Sequence, residues 1–161
     1  MRDFTKPKVA VPDGLDWEEL DSSAVGPLAV ALVREALVGH GFNVRQPEDR
    51  TSTLLARSGA RELEVHVRGA KKRSGSPYWT KQSFDPHRDL YAAVVILDPG
   101  RAPALFLVPS LAWRSPNQVL RDLPNPGGKT PPEWRLNLSR KNDKLLAGYA
   151  FSRAVSALSR R

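Results

Sequence analysis

Residues 61–72, RELEVHVRGAKK, alternate apolar and charged side chains for eight positions and then run into cations. A period of two marks a strand with unlike faces. Leu63, Val65 and Val67 point one way; Glu62, Glu64, His66 and Arg68 point the other. The apolar row needs a covering layer, and the flanking residues supply candidates for it.

Upstream, the period is helical. A helix is expected from Ser23 to Val38, capped by Asp21, Ser22 or Ser23 and stopped at Gly39 or Gly41. Its apolar residues cover more than one face, which predicts a helix packed between layers. After GHGF the period changes to two, and FNVRQ (42–46) and TSTLLAR (51–57) read as strands leading into 61–69, with SGA (58–60) as a tight hairpin. Residues 1–20 read as an extension before a single domain over 21–161.

Downstream, residues 69–84 form a basic loop with a short strand at Tyr78–Lys81. DLYAAVVILD (89–98) is almost wholly apolar, as a strand covered on both faces should be. ALFLVPS (104–110) is a further strand. SLAWRSPNQVLRDL (110–123) reads as a short helix broken at Pro116, residues 123–133 as a loop, and residues 142–158 as one closing helix. The expected class is α/β, a three-layer sandwich around a central mixed sheet.

A chain of 161 residues is long enough for one core, since a domain of this size buries about 70% of its unfolded surface. With no cysteine, disulfides and thiolate zinc sites are excluded. No apolar run approaches the ~20 residues that span a bilayer and no secretory leader opens the sequence, so a cytoplasmic protein without membrane contact is expected. The net charge of +8 is unevenly placed: residues 1–50 carry 6 Lys/Arg against 9 Asp/Glu, and residues 51–161 carry 19 against 8. An excess of cations confined to one part of the chain points to a polyanion, because each cation near a phosphate releases a counterion. A basic surface that only keeps the protein soluble is the plainer reading.

Most motif readings fail on spacing. GGKT (127–130) lacks the glycine a phosphate loop needs at Leu123, and Pro131 and Pro132 stand where its helix would begin. His40 and His87 lack the spacing of a zinc pair. No nucleophile elbow is present. In GAKKRSGSPYWTK, by contrast, Lys71, Lys72, Arg73 and Lys81 surround Tyr78 and Trp79. That mixture suits phosphate contact and base stacking, or else a solvated hairpin whose tryptophan covers a core edge. On the strand, Glu64, His66 and Arg68 lie side by side at about 6–7 Å. Such a row serves metal-dependent phosphodiester hydrolysis, or else it is a salt-bridged outer face.

The helix ending in GHGFNV, the strand TSTLLARSG, the hairpin strand LEVHVRGAKKRSGSPYW, the strand DLYAAVVILD, the phrase ALFLVPSLAW and the tail EWRLNLSRKNDKLLAGYAF together resemble the PD-(D/E)xK nuclease superfamily. The likeness covers roughly residues 23–158 and is nearest to its endonuclease-like and Holliday-junction-resolvase-like members. It implies a restriction-endonuclease-like fold, a DNA partner, a homodimer and, in an active member, Mg or Mn. With VHVRG on the family's Val-Lys-Thr phrase, Arg68 takes the catalytic lysine position and His66 the acidic one before it. The first Asp then falls near Ser52 or Thr53 and the early helical Glu near Leu28, so each position departs from the pattern. A slipped alignment takes Asp49 and Glu64 as metal ligands, with His66 at the lysine position.

Three functions follow as expectations. The first is a nucleic-acid-binding domain of this fold, weakly active or inactive as a nuclease, touching phosphate through Arg68, Lys71, Lys72, Arg73 and Lys81. The second is an active Mg- or Mn-dependent endonuclease with a rearranged site of Asp49, Glu64 and His66 or Arg68. The third is a non-catalytic protein-interaction module.

Overall fold

The computed structural model describes residues 21–71, 76–124 and 128–158; the expected extension, Lys72 and Arg73 lie outside them. Helix α1 spans Ser22–Gly39, and Asp21 caps it by accepting from the Ser23 amide at 3.0 Å. Strands β1 (Asn43–Arg45), β2 (Thr53–Ser58) and β3 (Arg61–Ala70) form an antiparallel meander. Gly59 turns the β2–β3 hairpin with φ +62°, a conformation glycine adopts without strain. After β4 (Tyr78–Thr80), strand β5 (Leu90–Ile96) runs parallel to β3, and β6 (Ala104–Pro109) returns antiparallel to β5. The five-stranded sheet is thus mixed, in the order β1-β2-β3-β5-β6. A second, antiparallel sheet orders β4-β8-β7, where β7 is Leu120–Leu123 and β8 is Glu133–Leu136.

β5 shows how the layers assemble. Its odd residues Tyr91, Ala93 and Val95 join Leu63, Val65 and Val67 of β3 and Ala29, Leu32 and Val33 of α1 in one core. Its even residues Leu90, Ala92, Val94 and Ile96 join Trp79, Leu120 and Leu136 of the small sheet in another. Every residue of β5 is buried, so the apolar run needs no alternation. The layers are helix, large sheet, small sheet.

Three expectations are corrected. α1 is not covered all round: Ser23, Gly26, Pro27, Arg34 and Val38 form an exposed stripe. Residues 120–123 are strand β7, not helix. Beyond Pro116, the Asn117 side chain accepts from the Val119 and Leu120 amides at 2.8 Å each and starts a turn, and pairing with β8 then holds the segment extended. The closing helix is broken into a single turn, α2 (Asp143–Leu146), a 3-10 turn over Ala147–Tyr149, and α3 (Phe151–Leu158). Ala150, extended between the last two, bridges to Phe106 on β6. Among the described residues no helix is long and apolar enough to cross a membrane.

Candidate functional site

Register places the polar row of β3. Glu64 pairs with Leu90, His66 with Ala92 and Arg68 with Val94, so the row shares the face of β5 that the small sheet covers. It is not the wet side of the molecule. His66 is 8% exposed, and its ring meets Phe84 edge-on at 5.3 Å between centroids. Glu64 Oε2 and His66 Nε2 are 2.6 Å apart, and Arg50 Nη1 lies 3.5 Å from Glu64 Oε1. Arg68 donates to the Val67 carbonyl (3.0 Å) and the Tyr78 carbonyl (3.3 Å), and its guanidinium sits 5.6 Å from the centre of the Trp79 ring.

Electrostatics follow from that packing. Burial lowers the His66 pKa, outweighing the hydrogen bond and charge of Glu64, which raise it. The ring is therefore neutral near pH 7 and donates its Nε2 proton to the carboxylate. Burial pushes Glu64 upward, but His66 and then Arg50 outweigh it and hold the group below its ordinary range. Burial likewise lowers Arg68, which nonetheless stays a cation.

Both acidic-side shifts act in one direction. As pH falls through the ordinary histidine range, the unfolded chain takes up a proton at His66 that the folded chain resists, and stability drops. Further acidification protonates Glu64, whose folded pKa is depressed, and stability drops again. Urea midpoints should therefore decline from about pH 7.5 to about pH 5, and His66→Gln should flatten the upper part of that decline. An unchanged slope in the variant would place the acid sensitivity elsewhere.

The slipped metal set does not assemble. Asp49 is exposed in the turn before β2, and among the described residues no three His, Asp or Glu side chains converge as ligands for a metal ion. Glu64 already serves His66 and Arg50. These residues do not fit a divalent cation, which needs several oxygen donors together. Arg50 enters the site unforeseen by the sequence reading. The hairpin register, pairing Ser58 with Arg61 and hence Thr53 with His66, was readable from SGA, but Arg50 precedes the strand and no register fixes its course.

The remaining expected residues divide. Trp79 is fully buried, packed against Phe84 and Trp113 at 5.6 Å each, so its base-stacking reading is corrected: it is core. Lys81 is committed to an ion pair with Asp122 and lies 4.1 Å over the Trp134 ring. Lys71 is half-buried and lies in the field of Asp21 at the start of α1. Tyr78 is 50% exposed.

Tyr78 does not stand alone. It pairs across strands with Arg135, which pairs in turn with Arg121, and directly opposed residues share a face. Buried Trp79, Leu120 and Leu136 alternate with these three, so the row lies on the outer face of the small sheet. The Arg135 guanidinium is 5.9 Å from the Tyr78 ring and forks onto Glu133 at 3.1 Å to each oxygen. Arg121 is exposed, and among the described residues its side chain makes no ion pair. The helix expected over residues 110–123 hides Arg121, and Arg135 comes beside Tyr78 only through the β4–β8 pairing of segments far apart in the chain. Comparison of the chain with protein-family models, curated proteins and solved structures gives no match.

Proposed function

We propose that this protein is a nucleic-acid-binding α/β domain, with DNA as its first candidate partner, on a PD-(D/E)xK-like, restriction-endonuclease-like scaffold without effective hydrolysis. The observation that carries the binding is the row Tyr78–Arg135–Arg121 on the outer face of the small sheet. An exposed aromatic ring gives an unpaired base a stacking surface, and the adjoining Arg121, which has no ion pair among the described residues, suits phosphate, with Arg135 held beside it by Glu133. The excess of 11 positive charges in residues 51–161, from 19 Lys/Arg against 8 Asp/Glu, supplies the field that draws a polyanion to it.

The scaffold reading is supported by the run of elements: a helix, a three-stranded meander, an apolar strand and a strand ending in Val108 and Pro109, with Ser110 next in the chain. Weak or absent hydrolysis is supported by the occupation of Glu64 by His66 and Arg50, and of Arg68 by two backbone carbonyls.

The test is binding of a labelled oligodeoxynucleotide over a range of salt. Each phosphate neutralised on a single strand should contribute about −0.7 to the log–log slope. Arg121→Ala should shallow that slope by about one contact. Tyr78→Ala should weaken binding about 5- to 100-fold, the worth of one stacked base. No binding at low salt would leave the protein-interaction reading in its place. Manganese-dependent cleavage lost in Glu64→Ala would establish the nuclease instead.

A further inference from the structure

A second site lies at the opposite edge of the large sheet, where α3 leans over the start of β5 and the end of β6. A cavity of about 340 Å³ opens there, floored by Tyr91, Leu111, Tyr149 and Leu158 and carrying Arg88 and Arg153. Its size falls in the range of small-molecule sites, roughly 300–1,000 Å³. The break in the closing helix creates it: Ala150 is tied to Phe106 on β6, and the chain then sets off again as α3.

The chemistry of the lining is lopsided. Arg88 and Arg153 are both exposed, and among the described residues neither side chain forms a hydrogen bond or ion pair. The acid beside Arg88 in the chain, Asp89, accepts from Arg61 at 3.0 Å. The Tyr91 hydroxyl accepts from Arg61 at 3.4 Å. Among the described residues no acidic or amide side chain lines the cavity, so no lining group offsets the two cations. Two free guanidinium groups above an apolar floor complement a carboxylate joined to an apolar body.

We propose that this cavity binds a hydrophobic organic carboxylate, the acyl or aryl body against Leu111 and Leu158 and the carboxylate held by Arg88 and Arg153. The site is independent of the nucleic-acid reading and stands or falls apart from it. Decanoate, kept below its micelle concentration and titrated into the full chain, should saturate at one molecule per chain and shift the NMR methyl signals of Leu111, Ala157 and Leu158. Decanol, the same body without charge, should bind at least about tenfold more weakly, as should the double variant Arg88→Met/Arg153→Met, which loses charge-assisted contacts. Ala157→Trp, at an exposed helical position, should abolish binding while leaving the fold intact by circular dichroism. Lack of saturation at about millimolar decanoate, equal affinity for decanol, or signal shifts away from α3 would each overturn the assignment. So would displacement of decanoate by a lower concentration of thymidine monophosphate, which would make the cavity a nucleotide site.

Discussion

Trp113→Ala is expected to lower the unfolding free energy by about 3–5 kcal/mol, the usual loss when a buried tryptophan is truncated. Trp113 is fully buried in the short 3-10 turn that follows β6, so it belongs to the large sheet by connection. Its contacts belong to the other layer. The ring packs edge-on against Trp79 at 5.6 Å and Phe84 at 5.8 Å, and its Nε1 donates to the Arg135 carbonyl on β8 at 3.2 Å. Truncation leaves a void beside two aromatic rings, Trp79 and Phe84, and strips a carbonyl of its donor, and the two costs add. Against a total stability of about 5–15 kcal/mol the loss is severe. Trp113→Phe should recover part of it, because the edge contacts survive while the hydrogen bond does not. Urea unfolding followed by circular dichroism checks this; a loss below about 1 kcal/mol would mean that the small sheet is held on by something other than the aromatic cluster. Since Arg135 lies in the proposed binding row, Trp113→Ala should also weaken nucleic-acid binding under conditions where the protein remains folded.

Gly69→Val is the second large effect, expected at about 2–3 kcal/mol, near the upper end of overpacking costs. A Cβ at Gly69 would stand 2.8 Å from Val25 Cγ1, 3.1 Å from Ala29 Cβ and 3.1 Å from the Val25 carbonyl oxygen. α1 crosses β3 too closely here for any side chain. The gain in strand propensity, within a scale spanning about 1 kcal/mol, does not offset it. Part of the clash is with a side chain and part with helix backbone, which a double-mutant cycle separates. Val25→Ala should relieve the Cγ1 contact and rescue some of the stability lost in Gly69→Ala, but the carbonyl contact remains. A Gly69→Ala protein as stable as the parent would show that the helix can ride outward freely. Gly69 follows Arg68 directly, so the same close approach fixes the end of the polar row.

Local sequence accounts for the elements whose physics is local. The alternation of RELEVHVRG sets which residues of β3 face α1, and the SGA hairpin sets the β2–β3 register one pair at a time. DLYAAVVILD carries no alternation because both of its faces are covered, and the composition says so without a structure. Asp21 caps α1 because its short side chain reaches the Ser23 amide. The polar row was likewise legible as a row.

What tertiary structure decided is what covers each face. β7 is extended because β8 lies beside it, a pairing between residues 120–123 and 133–136 that no local propensity encodes. The closing helix breaks at Ala150 because an edge strand more than 40 residues earlier offers a partner. The row Glu64–His66–Arg68 reads as a solvated or catalytic face until the small sheet is in place. In the assembled fold Arg50 pairs with Glu64, the Phe84 ring packs edge-on against His66, and the Tyr78 carbonyl accepts from Arg68. Sequence periodicity tells a side chain which way to point. Only the assembled layers determine whether water, a partner group or a ligand meets it there, because that depends on contacts between segments far apart in the chain.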